Sequence, residues 1–469
     1  MMRVMPISDS PWAPTGFGTN TKNIACILAA EGHIVGYGGC QNPKHDPNYE
    51  VPWPLGQEEK KVSMELLPMM HMGQEKFGEK SFDTWEKNFK PDVCLTHLDI
   101  QMFSWLVQRK IPSHANIPLR EENKWLTTKQ RDTMFKKMWR DIVKGPKWKI
   151  ASIIPIDGQP SIPHWADVLR EVDYPIAMSR YGEEVMKEDF EALGAGWFDR
   201  LTTIPHGVDC NLFKPLHNLP KPDNAFIVGC VARNQHRKNI PRLLKSFKHF
   251  VEKDKLTPKD ARLMLHMDWN DYMGWNIEYM ADYYNLTDYL IPPMMGKLDE
   301  GGGVSEEKMV EIYNTMDVFA LPTAGEGFGI PTLEAMACGI PVIITNYTSS
   351  YELIGAEHPD DDIPLFPLGR NAENGRDHLI DEDWSDRGCL VPYKDMWWDT
   401  PQRAAPQRAI VSEPAMAEAM SVYYHDRKKV LEHGKNARKY AVEHYDWNGV
   451  IAQKWINLFQ KIQREGNFK

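Results

Sequence analysis

Between Phe226 and Val391 the chain repeats one short pattern: an apolar run of three to six residues, a turn, then an amphipathic stretch of helical period. The apolar runs are Phe226–Val231, Leu263–Met267, Tyr289–Ile291, Val318–Leu321, Val342–Thr345 and Cys389–Val391. Helical stretches such as Ile240–Lys253, Glu306–Asn314 and Pro331–Cys338 fall between them. Strands that are apolar on both faces, separated by helices, imply a parallel sheet covered on both sides. All-β and all-helical architectures are thereby excluded for this half.

The first half follows the same plan less cleanly. Arg3–Ile7 reads as a strand, Ser8–Gly18 as a loop, and Thr19–Glu31 as a helix closed by Gly32 in the C-cap position. Strands follow at His33–Tyr37, Val93–Thr96, Ile150–Ile156 and Pro175–Met178, with Ser179 as the N-cap of a further helix. Residues 41–90 are rich in Pro, Lys and Glu with weak periodicity and read as an elaborated excursion from the core. The polar stretch Leu216–Asn224, with two prolines, reads as a linker. The expected fold class is α/β, with two Rossmann-like doubly wound domains, residues 1–215 and 225–446, facing a central cleft. The amphipathic segment from Trp447 onward is expected to pack back on the first domain.

Size and charge agree with this division. A single core stops growing at roughly 250–300 residues, and the chain has 469. With 55 Lys+Arg against 65 Asp+Glu, the net charge of −10 offers no general attraction for a nucleic-acid backbone. No apolar run approaches the ~20 residues of a membrane span, and Met1–Ile7 enters a strand without the apolar core of a signal peptide. The seven cysteines are scattered, odd in number and never spaced as CxxC, so a disulfide framework and a zinc site are both disfavoured. A cytoplasmic location is the expectation. One basic stretch, Lys129–Lys149, interleaves Phe135, Met138, Trp139 and Trp148; it reads as an amphipathic helix whose basic face offers a peripheral membrane contact or an anionic-acceptor contact.

Two segments carry the chemistry. In Leu321–Gly339, LPTAGEGFGIPTLEAMACG, three glycines lie between a buried strand and a helix that begins near Pro331. Glycine lets the backbone approach a ligand, and the helix start offers unpaired N–H donors to a phosphate. Glu326 and Glu334 stand eight positions apart, and both can face one pocket. A carboxylate beside a phosphate is favourable only where it grips hydroxyls, so ribose or sugar hydroxyls are its natural partners. In Val231–Asn239, VARNQHRKN, Arg233 and Lys238 emerge at the carboxyl end of the sheet, where open α/β sheets bind ligands. Two cations there suit a diphosphate, with Arg237 as a substitute or helper.

The segments EGFGIPTLEAMACG, RNQHRK and IPHGVDCNLF (Ile204–Phe213), together with PTGFGTNT (Pro14–Thr21), resemble the retaining glycosyltransferases of family 4, which have the GT-B fold. The resemblance implies transfer of a sugar from a UDP- or GDP-hexose to a hydroxyl acceptor. It assigns the donor diphosphate to Arg233 and Lys238, the nucleotide ribose to Glu334, and the transferred sugar to Glu326 with the backbone of Gly327, Phe328, Gly329 and Ile330. Thr332 falls at the phosphates, and Gly16 and Gly18 lie in a loop that approaches donor and acceptor. The base is expected to be read by backbone around Met295–Leu298. Acceptor candidates are a glycan, a lipid-linked sugar, a small molecule or a modified nucleic-acid base.

One departure concerns the first domain, where the family commonly places a His or His-Asp beside the sugar. Here the strand ends in Asp157-Gly158, with His164 further on, and His97 follows another strand. Asp157 and His97 are both carried as candidates for the assisting group. No metal and no cofactor is expected, because the cations can stabilise the leaving diphosphate. The Asp-x-Asp strings Asp360–Asp362 and Asp381–Asp383 read as solvated loops. A nicotinamide dehydrogenase needs G-x-G-x-x-G, and Gly16–Thr21 lacks the third glycine. A nucleotide-sugar-binding protein without catalysis is the remaining alternative; it has no need of the whole set Arg233, Lys238, Glu326 and Glu334.

Overall fold

The computed structural model describes residues 1–11, 13, 15–40, 48–52, 61–67, 77–110, 148–161, 165–191, 198–216, 219, 224–293, 303–355, 377–399, 406–466 and 468. Most of Lys129–Lys149 and of the expected linker, together with His164, Met295–Leu298 and Asp360–Asp362, lies outside the described residues.

Two sheets form the frame. The first contains β1 (Arg3–Asp9), β2 (Ile34–Cys40), β3 (Asn48–Pro52), β4 (Lys61–Leu67), β5 (Val93–His97), β6 (Lys149–Ile154), β7 (Tyr174–Ala177) and β8 (Thr202–Thr203). Their order is β3-β4-β2-β1-β5-β6-β7-β8, parallel throughout except for the β3–β4 pair. The segment 41–90 is therefore not only an excursion, since β3 and β4 extend the sheet at its edge. Its weak periodicity has a physical source: the outer part of β4 is solvent-facing, and only Met64, Leu66 and Leu67 are buried.

The second sheet contains β9 (Phe226–Val231), β10 (Ala261–His266), β11 (Leu290–Ile291), β12 (Val318–Leu321), β13 (Val342–Thr345) and β14 (Gly388–Val391). Its order is β11-β10-β9-β12-β13-β14, with every pair parallel. β9, β12, β13 and β14 are buried along their whole length, as their continuous apolar runs require. In each sheet the direction of winding reverses once, between β1 and β5 in the first and between β9 and β12 in the second. Ligands of open α/β sheets bind at such reversals. A separate antiparallel hairpin, β15 (Tyr393–Trp398) with β16 (Gln407–Val411), follows β14.

The chain passes between the lobes twice, and the two passages lie side by side. The Val208 N–H donates to the Tyr445 carbonyl at 2.9 Å, and the Trp447 N–H donates to the Val208 carbonyl at 3.0 Å. The terminal helix Ala452–Gly466 then lies against the helix Gly16–Ala30 of the first lobe, and Phe459 meets His33 at 6.2 Å between ring centroids. Elsewhere the lobes touch through Glu352, whose buried carboxylate accepts the N–H groups of Arg180 and Tyr181, both at 3.0 Å. That places an acidic group of the second lobe at the N-terminus of the helix Arg180–Glu191, the favourable end of its dipole. Among the described residues no helix is long and apolar enough to cross a membrane.

Arg438 fastens the segment that leaves the first lobe. Its guanidinium donates to the carbonyls of Phe213, Ala337 (2.6 Å) and Cys210 (2.7 Å). Arg438→Ala strands these acceptors, and hydrogen bonds to charged groups are worth about 1.5–3 kcal/mol each. The variant is expected to lose at least about 3 kcal/mol of stability, water partly replacing the lost donors, read as a lower urea midpoint; an unchanged midpoint would show that water replaces the guanidinium without loss.

Candidate active site

The loops at the two winding reversals face one another and build the site. After β12 the chain runs through Pro322–Gly329 into the helix Ile330–Ala337, with Pro331 in its first turn. The loop is tied down from within and from β13's far side. The Thr323 hydroxyl bonds to Glu326 Oε1 at 2.8 Å, the Glu326 N–H donates to Thr348 Oγ1 at 2.8 Å, and the Ser349 hydroxyl reaches the carbonyls of Glu326 (3.0 Å) and Phe328 (2.8 Å). Gly325 has φ of +154°, and a Cβ there would stand 2.2 Å from the Asp157 carbonyl oxygen. Only glycine lets the first lobe approach this closely.

After β9 a short 3-10 turn, His236–Lys238, precedes the helix Ile240–Lys253. Lys238 Nζ makes a short ion pair with Glu326 Oε1, both side chains being 8% exposed. Arg237 donates to the Gly325 carbonyl at 2.7 Å, lies 3.2 Å from Glu326 Oε2, and reaches Asp157 Oδ2 of the first lobe at 3.5 Å. Burial would raise the Glu326 carboxyl, but Lys238 and then Arg237 outweigh it and hold it at about 2. Glu326 is therefore an anion at any physiological pH.

Arg233 stands apart from this cluster. Its Nε pairs with Asp271 Oδ2 at 2.9 Å, and its side chain is 56% exposed. The loop after β10 that carries Asp271 is held by Asn234, which donates to the Asp268 and Trp275 carbonyls at 3.0 and 2.7 Å. The sequence reading put Arg233 and Lys238 on one diphosphate; the structure brings Arg237 and Lys238 together and turns Arg233 to the rim.

Glu334 lies one turn into the helix Ile330–Ala337 and accepts the Tyr313 hydroxyl at 2.6 Å. Burial pushes its carboxyl up to about 7, only partly offset by that hydrogen bond. Thr332 is buried in the first turn of the same helix, and Phe328 packs against His206 (5.4 Å) and Tyr445 (5.6 Å). Gly327 sits under Met178, where a Cβ would approach the sulfur to 3.0 Å.

On the first lobe, the helix after β1 begins at Gly16, three residues earlier than the sequence suggests, because Thr15 caps it by accepting the Gly18 N–H at 3.0 Å. Gly16 and Gly18 are thus the first turn of a helix rather than a loop. A Cβ on Gly16 would stand 3.1 Å from Ile330 Cδ1, so two helix N-termini, one from each lobe, adjoin. Their partial positive charges favour an anion between them.

His97 ends β5. Its Nδ1 is 3.0 Å from Thr21 Oγ1, its ring lies 4.7 Å from Phe17 and 5.1 Å from His206, and its buried Nε2 has no partner among the described residues. Burial, then the neighbouring His206, keeps the His97 imidazole neutral, and burial lowers His206 to about 3. Asp157 follows β6 and faces Arg237 and Arg408, the latter at 3.0 Å. Asp99, after β5, is raised to about 6 by burial, with Asp157 adding to the shift and Arg237 opposing it. His206, Asp99 and Arg408 carried no signal of their own: His206 lies inside a quoted motif, and Arg408 lies in a segment without apolar periodicity. Asp381–Asp383 forms one 3-10 turn in which Asp383 accepts the Ile380 N–H at 2.9 Å. Among the described residues no cluster of three His, Cys, Asp or Glu could hold a metal ion.

Comparison with known proteins agrees with this geometry. Residues 297–359, which include Glu326 and Glu334, match the family model "Glycosyl transferases group 1". The chain is 32% identical over 119 residues to the O-antigen chain mannosyltransferase B of Escherichia coli, covering 25% of this chain and 28% of that one. It is 27% identical over 163 residues to the lipopolysaccharide core biosynthesis mannosyltransferase LpsB of Rhizobium meliloti, covering 33% and 42%. The aligned stretches thus span well under half of these curated relatives. The whole fold superposes on sucrose-phosphate synthase from Thermosynechococcus elongatus with a TM-score of 0.64 at 16% identity, covering 99% of this chain and 100% of that one. It also superposes on trehalose-6-phosphate synthase from Escherichia coli bound with UDP-2-fluoro glucose, with a TM-score of 0.56 at 12% identity, covering 98% and 99%. Segment and fold agree: a stretch that matches the group 1 glycosyltransferase model sits in a chain whose fold is that of the GT-B glycosyltransferases.

The buried Glu334 gives a pH test that needs no substrate. Its carboxyl is at about 7 when folded, against an ordinary value of 4.5. The folded state therefore holds the proton more tightly, and the associated stability is fully present below the lower value and is lost as pH rises through the higher one. Glu334→Gln is expected to flatten the fall of the thermal midpoint between pH 5 and pH 8, roughly the window that shift defines. An unaltered slope would assign the pH dependence to another group.

Proposed function

We propose that this cleft transfers a hexose from a UDP- or GDP-sugar to a hydroxyl acceptor, with retention of configuration as in family 4 and without a metal. The observation that carries the proposal is the meeting of the Lys238–Glu326–Arg237 cluster with two helix N-termini at the winding reversals of both sheets. The mannosyltransferase relatives and the nucleotide-sugar ligand of a fold relative support a nucleotide-hexose donor.

The donor diphosphate lies between the helix starts at Gly16 and Ile330, near Lys238 and Arg237, with Arg233 at the rim. Glu326, its oxygens occupied by Lys238, Thr323 and Arg237, orients the two cations, while the backbone of Gly327–Ile330 faces the sugar. Glu334 takes the ribose hydroxyls. The anomeric C–O bond breaks with its electron pair on the diphosphate, whose growing charge meets fixed cations and N–H donors. The acceptor oxygen bonds to the anomeric carbon from the same face, and its proton passes to the departing phosphate oxygen. Asp157 places a carboxylate opposite the positive charge of the oxocarbenium-like sugar. The first lobe supplies the acceptor surface.

Incubation of the chain with UDP-glucose, UDP-N-acetylglucosamine and GDP-mannose, following release of the nucleoside diphosphate, tests the reading. Turnover of at least one donor is expected, and it should survive excess EDTA. Loss of turnover in chelator with recovery on Mn²⁺ would move the chemistry to a metal. Lys238→Ala should lower kcat by roughly 10²–10³, the scale for removing a preorganised electrostatic stabiliser, while donor KM rises less. A near-normal kcat in a folded Lys238→Ala chain would sink the proposed leaving-group site.

A further inference from the structure

The hairpin β15–β16 belongs to the second lobe in sequence but is wedged against the first. The Gln407 N–H donates to the Gln159 carbonyl at 2.7 Å, a backbone bridge between the lobes. On the other side, the Ala409 N–H donates to the Ala324 carbonyl at 3.2 Å, Asn239 Nδ2 donates to the Ala409 carbonyl at 3.1 Å, and the Tyr347 hydroxyl donates to the Gln407 carbonyl at 2.7 Å. The strand β16 is thus fixed at once to the Asp157–Gln159 loop, to the Thr323–Gly325 loop and to the turn that carries Lys238.

Arg408 lies at the centre of these contacts, only 7% exposed along its side chain. Its Nε pairs with Asp399 Oδ2 at 3.0 Å, which fixes the plane of the guanidinium. Its Nη1 bonds to the Asp157 backbone carbonyl and lies 3.0 Å from Asp157 Oδ1. One donor group thereby holds both the main chain and the carboxylate of Asp157, and Arg237 approaches the second carboxylate oxygen at 3.5 Å. Gly158 and Gly325 leave the room for this: a Cβ on Gly158 would stand 3.1 Å from Arg408 Nη1, and one on Gly325 would stand 2.9 Å from it. An arginine is buried at this depth only when paired and hydrogen-bonded, and here the pairing leads to a single carboxylate in the cleft.

We propose that Arg408 is a positioning residue that fixes the Asp157 carboxylate beside the transferred sugar, through a hairpin of the opposite lobe. The inference rests on the reading of Asp157 given above. Two contacts from one rigid fork constrain both the torsion and the location of the carboxylate; a lysine, with a single ammonium, cannot hold Asp157 and Asp399 together. Because Arg408 acts on the group that faces the sugar rather than on the nucleotide, its removal should appear in the chemical step and spare donor binding.

The experiment uses the full chain and whichever of UDP-glucose, UDP-N-acetylglucosamine and GDP-mannose it hydrolyses. Arg408→Ala is expected to lower kcat by roughly 10²-fold, the scale of a small misplacement of a reacting group, with donor KM within about threefold of the parent. Guanidinium ion should restore at least about a tenth of the lost rate in Arg408→Ala and nothing in Asp157→Asn, and Arg408→Lys should fall between parent and alanine variant. The double variant should be no worse than Asp157→Asn alone, because both act through one carboxylate. Near-normal kcat in Arg408→Ala alongside an impaired Asp157→Asn overturns the role of Arg408 and leaves the reading of Asp157 intact. Near-normal kcat in Asp157→Asn, or a parent chain that hydrolyses none of the donors, overturns the reading beneath it. A folded Arg408→Ala chain with a raised donor KM and no response to guanidinium makes the arginine merely structural and overturns the proposal.

Discussion

A carboxylate buried in the second lobe sets the terms for everything around it. An unpaired buried charge costs several kcal/mol, so Glu326 requires partners, and it takes them from a loop 88 residues earlier in the chain. Lys238 and Thr323 share one oxygen and Arg237 takes the other. That requirement closes the β12 loop onto the β9 loop and so shapes the crevice at the reversal of the sheet. It also leaves more cation than anion within the cluster itself, a balance completed only when Asp157 of the first lobe reaches Arg237. The electrostatics of the cleft are therefore shared between lobes: separating them removes a carboxylate from Arg237 and from Arg408 together.

Much of this frame is legible in the sequence because it depends on short-range pattern. Parallel strands buried on both faces must be apolar along their length, so β9, β12, β13 and β14 stand out, each within a residue or so of its place in the structure. The glycines around Glu326 are visible for a similar reason, since close backbone approach excludes side chains. β4 is hard to read because the pattern of Lys61–Leu67 is mixed, with only Met64, Leu66 and Leu67 buried. The start of the first helix was displaced because Gly16 and Gly18 read as loop residues, whereas the Thr15 cap overrides their low helical propensity.

The remaining differences come from long-range approach, which no local pattern encodes. Arg233 and Lys238 are near neighbours in sequence, yet a loop 38 residues on supplies Asp271 and draws Arg233 outward. Arg408 meets Asp157 across 251 residues. His206 acquires its place only when β5 brings His97 alongside. In each case the partner lies far along the chain: within the same lobe for Arg233 and His206, and across the cleft for Arg408.

The paired crossing of the chain between the lobes has a mechanical consequence. With Val208 bridged to Tyr445 and Trp447, the two connections behave as one short two-stranded ribbon. A single rod would let the lobes twist and slide; a ribbon bends readily about one axis and resists shear. The helix starts at Gly16 and Ile330, which adjoin across the cleft, therefore stand on lobes joined by this ribbon rather than by a single strand of chain.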